Sequence, residues 1–186
     1  VAIHNGPVAG MVAAHGTDEQ KAAWLPKVAS GEALGAFALS EADAGSDPGA
    51  MTTRATRDGA GWVLEGQKRW VTNGARAGLV VVVARTDDDQ GTGAFLVDPA
   101  GGGYAAHGRE STMGLRASET LSVTFDGTPA ELLGAEGKGL SYALSALDTG
   151  RVGIAAQAVG IAGAAMEHAT RYALEREQFG RALADF

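Results

Sequence analysis

Two short stretches hold residues whose types and spacing could do chemistry. In F-A-L-S-E-A-D-A-G-S-D, Phe37 to Asp47, an apolar strand that starts at Gly35 breaks after Leu39 into small, acidic and glycine residues. Gly45 and its neighbours free backbone N–H groups to point at a ligand, so this is a binding edge and not a core strand. In W-V-T-N-G, Trp70 and Thr72 stand two apart. If that segment is extended they share a face, presenting a flat aromatic surface beside a hydroxyl. Such a pair suits a planar, polar-edged cofactor. Glu41, Asp43 and Asp47 read either as an acid/base set or, more simply, as caps of the turn that orient Ser46.

Further along, L-D-T-G-R places Asp148 and Arg151 three apart at what reads as a helix start. They would share one helical face, either as a solvent ion pair of small value or as part of a site. Arg176 and Arg181 bracket Q-F-G at 178–180. An Arg fork beside an aromatic suits a phosphate with a stacked base, although an exposed helix end explains it equally.

Several familiar signatures fail. G-A-E-G-K-G at 134–139 has Leu132 and Gly139 where a phosphate loop needs Gly and Ser or Thr. Gly91-Thr92-Gly93 is followed by Leu96 at the closing glycine position and by a strand, so it is no dinucleotide fingerprint. His4, His15, His107 and His168 lack ligand spacing, and no serine sits in a nucleophile elbow. With no cysteine, thiol catalysis, Cys-ligated zinc and iron–sulfur clusters are excluded within the chain, and a reducing cytoplasm or a mitochondrial matrix is compatible. Twenty-two acidic against 15 basic residues, net −7, argue against nucleic acid as a partner, so any phosphate contact must be local. Val152 to Met166, interrupted by Gln157, is shorter than the ~20 residues a bilayer requires and predicts no membrane span.

The elements that must position these residues change type twice. Residues 1–33 read as the end of a helical domain. Thr17 and Gln20 form a capping box for a helix that buries Trp24 and Leu25 and stops at Pro26 and Gly31. From 34 to about 134 the period becomes that of strands. Thr52 to Arg57 and Trp62 to Trp70 flank D-G-A-G, while Leu79 to Arg85 and Ala94 to Val97 flank a polar turn from Thr86 to Gly93. V-V-V-V predicts a strand buried on both faces, and Leu121, Val123 and Phe125 alternate onto one face. These short strands, with no crossover helix, favour an antiparallel β-barrel or sandwich over a parallel α/β sheet. Residues 135–186 return to helix, with a first segment through Tyr142, Leu144 and Leu147 and a second from Val152 to Phe179. The class is α+β and multidomain, an antiparallel barrel or sandwich flanked by all-α segments. With no initiator Met and no stop signal before Phe186, the chain reads as a piece of a longer protein.

Taken together, G-T-D-E-Q-K-A-A-W-L-P-K, A-L-S-E-A-D-A-G-S-D, Q-K-R-W-V-T-N-G, M-G-L-R-A-S-E-T, L-L-G-A-E-G-K-G, L-D-T-G-R-V-G-I and R-E-Q-F-G resemble the acyl-CoA dehydrogenase family in order and spacing. The L-D-T-G-R segment is most similar to its short-chain and short/branched-chain members. The resemblance implies FAD-bound homotetramers or homodimers that desaturate Cα–Cβ of an acyl-CoA, pass hydride to flavin N5, and hand electrons to an electron-transferring flavoprotein. It implies flavin contacts from Phe37, Leu39, Ser40, Gly45 and Ser46, with Leu39 and Ser40 at the pyrimidine edge and Ser46 toward the phosphates and substrate. Trp70, Val71 and Thr72 match the second flavin segment. Arg176, Gln178 and Phe179 match contacts to a neighbouring subunit's FAD, and Asp148, Thr149, Gly150 and Arg151 match the turn that holds CoA.

Two departures stand out. Ser40-Glu41-Ala42 replaces the family's usual Thr-Glu-Pro. Gly150 stands where the isovaleryl and long-chain branches carry their catalytic Glu, so the general base is expected beyond Phe186 and the piece alone is expected to be inactive. Two other readings are a flavin monooxygenase or oxidase on the same fold and a non-catalytic scaffold.

Overall fold

The computed structural model describes residues 2–86 and 91–186. Residues 87–90, the middle of the expected turn from Thr86 to Gly93, lie outside the described residues.

The chain opens with a π-helical stretch, His4–Gly10, that contains Pro7 and runs into α1, Met11–His15. Proline brings no N–H to an i→i−4 bond, so the ladder around it must be irregular. The capping box forms as expected: Gln20 N donates to Thr17 Oγ1 at 3.2 Å, and Thr17 N to Gln20 Oε1 at 3.1 Å. It starts α2, Asp18–Ser30. The expectation that Pro26 helps to end this helix is not met. Pro26 sits inside it, and the stop is Gly31, whose φ of +81° is the left-handed conformation that glycine adopts without strain.

Seven strands then follow: β1 Gly35–Ala38, β2 Arg54–Asp58, β3 Gly61–Thr72, β4 Leu79–Thr86, β5 Thr92–Val97, β6 Tyr104–His107 and β7 Thr120–Leu133. β4, β2, β3, β7 and β5 close a ring through the β4–β5 pairing. β1 pairs with Leu79 to Val82 of β4, and β2 with Arg85 and Thr86 of the same strand. β6, which sequence periodicity did not reveal, pairs with β7. The barrel is not wholly antiparallel, because β1 and β2 both run parallel to β4. No crossover helix is needed for this, since the β2–β3 hairpin returns the chain to the right end.

Two cores result. Val80, Val82, Trp62, Leu64, Phe95, Leu121, Val123 and Phe125 fill one; Val81, Val83, Phe37, Leu39 and Leu96 join Val8, Met11, Val12 and Val28 of the helical segment in the other. V-V-V-V is thus buried on both faces, as its unbroken apolar run predicts.

The two expected C-terminal helical segments are one helix, α3, Gly139–Glu175. L-D-T-G-R therefore lies within a helix and not at a helix start, and the helical period stops at Glu175, short of Phe179. Its first turn is anchored on the barrel, where Leu140 N donates to Thr92 Oγ1 at 2.9 Å. The chain divides into two compact units, Val1–Gly150 and Arg151–Phe186. The second unit holds the rest of α3, with exposed Val152, Val159 and Met166, then a two-strand hairpin, β8 Glu177–Gln178 and β9 Arg181–Ala182. Among the described residues no helix is long and apolar enough to cross a membrane.

A Cβ on Gly139 would overlap the Gly93 backbone and the Ala94 nitrogen, so the helix start can approach β5 only as glycine. Gly139→Ala is expected to lower unfolding stability by about 1–3 kcal/mol, the usual cost of overpacking, read by urea denaturation.

Candidate functional site

The two predicted ligand-binding edges meet. Phe37, Leu39 and Ser40, at and beyond the end of β1, line one cavity with Arg69, Trp70 and Thr72 of β3; Ile3 and Leu147 close it, and its volume is about 150 Å³. Phe37 and Leu39 are buried walls, whereas Trp70 remains 49% exposed, with the Arg69 guanidinium 5.2 Å from its ring centroid.

Trp70 and Thr72 do share this cavity, but not by simple alternation. The β3–β7 register shifts between Lys68 and Val71, and Trp70 has φ +57°. A left-handed backbone is unusual for a bulky residue and is found where surroundings enforce it. Here the bulge lets Lys68 and Val71 both point inward while Trp70 between them is exposed. Hydrogen bonds fix the irregular segment at both ends. Arg69 N donates to Ser40 O at 2.8 Å, just beyond β1, and Asn73 Nδ2, just beyond β3, to Gly35 O at 3.0 Å, so the two segments are tied together. Tyr104 Oη donates to Gly74 O at 2.7 Å. Burial, aided by the charge of Glu119, raises the Tyr104 pKa, so the phenol keeps its proton and remains a donor.

The most consequential pair was not singled out from sequence. Lys68, with a fully buried side chain, donates from Nζ to Glu41 Oε1 at 2.8 Å and to Leu39 O at 2.9 Å. Glu41 also accepts from Thr53 N at 2.9 Å and from Thr52 N and Oγ1 at 2.6 and 2.7 Å. Burial by itself would raise the Glu41 pKa, but the bonds from Lys68, Thr53 and Thr52 together outweigh it and hold the carboxyl at about 2. Burial lowers the Lys68 pKa, against the opposing pull of Glu41. A carboxylate so held is a poor proton acceptor near neutrality, which removes Glu41 from the acid/base reading. Nor does it orient Ser46; it caps the amides of Thr52 and Thr53. Asp47 does act as a turn cap, accepting from Gly49 N at 3.2 Å. The sequence did carry a signal: Lys68 shares even-numbered parity with buried Trp62 and Leu64 on β3, and a buried lysine demands an anionic partner.

The remaining predicted residues lie elsewhere. Val71 is fully buried in the core with Leu121 and Val123 and does not line the cavity. Gly45 and Ser46 are exposed in the loop before β2 and do not line the cavity. Asp148 and Thr149 are exposed on α3, and Gly150 is half-buried. Arg151 is exposed and belongs to the second unit, as do Arg176, Gln178 of β8 and Phe179, which is 94% exposed with φ +52° at the hairpin tip.

Because the folded Glu41 pKa is depressed from 4.5 to about 2, its contribution to stability is complete above 4.5 and is lost as pH falls toward 2. The loss is on the order of 3 kcal/mol. Urea denaturation across that window is expected to show a shallower decline in Glu41→Gln than in the wild type.

The acyl-CoA dehydrogenase N-terminal domain matches residues 1–32, the middle domain 36–128, and the C-terminal domain 137–186. A short-chain specific mitochondrial acyl-CoA dehydrogenase of Bos taurus is 43% identical over 98% of this chain and 46% of its own length. A short-chain specific acyl-CoA dehydrogenase of Clostridium acetobutylicum is 42% identical over 98% and 50%. Among solved structures, a Mycobacterium smegmatis glutaryl-CoA dehydrogenase in complex with FADH2 superposes with a TM-score of 0.93 at 38% identity, covering 100% of this chain and 48% of that one. The prolyl acyl carrier protein oxidase AnaB superposes at 0.92 with 31% identity, covering 100% and 50%. The chain spans about half the length of the curated relatives it matches. With all three domains matched in order across the barrel and both flanking segments, the chain belongs to the acyl-CoA dehydrogenase family.

Proposed function

We propose that the cavity between β1 and β3 is one wall of an FAD site, in a protein that dehydrogenates short or branched acyl-CoA thioesters at Cα–Cβ. The observation that carries this reading is the convergence of a half-exposed indole with two hydroxyls on one apolar cavity, in a chain of this family. The donor set fits the flavin: Trp70 offers a flat face for a fused ring, while Ser40 and Thr72 offer hydroxyl donors for its polar edge. Bound FAD would supply the hydride acceptor. Phe37 and Leu39, both buried, would exclude water from the ring, which strengthens every polar contact made there. The Ser40 and Thr72 hydroxyls would donate where negative charge builds on reduction, fixed in place before the reaction begins.

The exposed Gly45 and Ser46 would serve the cofactor's phosphates from the loop, and Ser46 the substrate's head as well. Asp148, Thr149, Gly150 and Arg151 would serve CoA from the body of α3. Arg176, Gln178 and Phe179 would reach the FAD of a second copy in a homodimer or homotetramer. An electron-transferring flavoprotein would take the electrons. The proton at Cα would go to a carboxylate not supplied by the residues described above.

The test is anaerobic addition of a short acyl-CoA to the FAD-loaded protein that carries this chain. Bleaching of the flavin absorbance is expected; an unchanged spectrum with every acyl-CoA tried would overturn dehydrogenation. Trp70→Ala is expected to weaken FAD binding about three- to tenfold, the worth of one stacked aromatic, read by flavin fluorescence titration. The likeness to an acyl carrier protein oxidase supports a second reading, in which the reduced flavin reacts with oxygen. Rapid oxygen uptake during turnover, with no need for an external flavoprotein, would favour it.

A further inference from the structure

The Lys68 ammonium does more than neutralise Glu41. It sits against the Leu39 carbonyl at 2.9 Å, and Leu39 and Ser40 both line the cavity. The peptide joining those two residues is planar and trans, so its C=O and N–H point in opposite directions. A carbonyl held inward by Lys68 therefore turns the Ser40 N–H the other way, out from the buried cation. The next peptide is fixed in the same manner: Ser40 O accepts from Arg69 N at 2.8 Å, and Glu41 N, on its opposite side, donates to Ala44 O at 2.9 Å. Two successive peptide planes at the mouth of the site are thus set by bonds to β3 and its buried lysine. Glu41, in turn held by Thr52 and Thr53, holds that lysine in place.

We propose that Lys68 is a positioning residue for the flavin, fixing the orientation of the Leu39–Ser40 peptide so that the Ser40 N–H is available to the cofactor's polar edge. Lys68 itself touches no cofactor; it acts through the Leu39 carbonyl. The proposal rests on the flavin reading above.

The test uses the protein that carries this chain, prepared as apoprotein, with FAD as the probe. Removing one member of a buried ion pair strands the other, whereas neutralising both is commonly tolerated. The double variant Lys68→Met/Glu41→Gln is therefore informative: it removes the donor to Leu39 O without leaving a buried charge. It is expected to keep a melting temperature near that of the wild type while its FAD Kd rises at least tenfold and the fine structure of the flavin absorbance band changes. Gly139→Ala, far from the loop in sequence and destabilising by another route, is expected to leave FAD affinity within threefold. If the double variant does not fold, Lys68→Met decides: Glu41 keeps the amides of Thr52 and Thr53 while the donor to Leu39 O is gone, and the FAD Kd is again expected to rise at least tenfold. Wild-type affinity and spectrum in either variant overturns the proposal alone. Wild-type protein that takes up no FAD overturns the proposal and the flavin reading together.

Discussion

The buried contact between Lys68 and Glu41 is the constraint on which the site depends. A lysine with no solvent exposure would be costly unless its charge were met, and here one carboxylate, one carbonyl and a methionine sulfur surround it. The carboxylate is itself satisfied by the amides of Thr52 and Thr53. Three separated pieces of chain, the end of β1, the entry to β2 and the middle of β3, are drawn to one point. The loop between β1 and β2 has little regular structure of its own, so these bonds do for it what a ladder does for a strand.

The barrel makes this arrangement available. Its parallel pairings place the end of β1 beside β4, while β3 leaves its own ladder through a bulge close by. The bulge breaks the alternation of β3, so that Lys68 and Val71 are both buried and Trp70 is exposed between them. A regular strand would have put Trp70 on the same face as Lys68, inside the barrel, with no aromatic left for a ligand. Strain in the Trp70 backbone, the ion pair beneath it and the open indole are three aspects of one local design.

Much of this was legible in the sequence because it obeys short-range rules. The capping box at Thr17 and Gln20, the glycine stop at Gly31, the valine run of β4 and the alternation of β7 each follow from local periodicity or hydrogen-bond chemistry. What was not legible depends on contacts distant in sequence. Nothing near Tyr104 to His107 marks a strand until β7 supplies its partner. Pro26 reads as a stop, yet the capping box and Gly31 govern the helix. L-D-T-G-R reads as a helix start, but α3 runs through it unbroken, tolerating the intrinsic cost of glycine. Trp70 and Thr72 reach the same cavity by a bulge instead of by the alternation that their spacing implies. Glu41 looked like one of three loop acids, and only the depth of Lys68 shows why it differs from Asp43 and Asp47.

The central claim is that Trp70 forms the aromatic wall against which the cofactor lies. The direct measurement is tryptophan fluorescence during FAD titration of the apoprotein, taken as the difference between the wild type and Trp70→Phe. The account predicts a saturable quenching that is present in the wild type and absent from the variant, with a midpoint matching FAD uptake. Equal quenching in the two proteins, or stoichiometric FAD binding that leaves Trp70 emission unchanged, would contradict it.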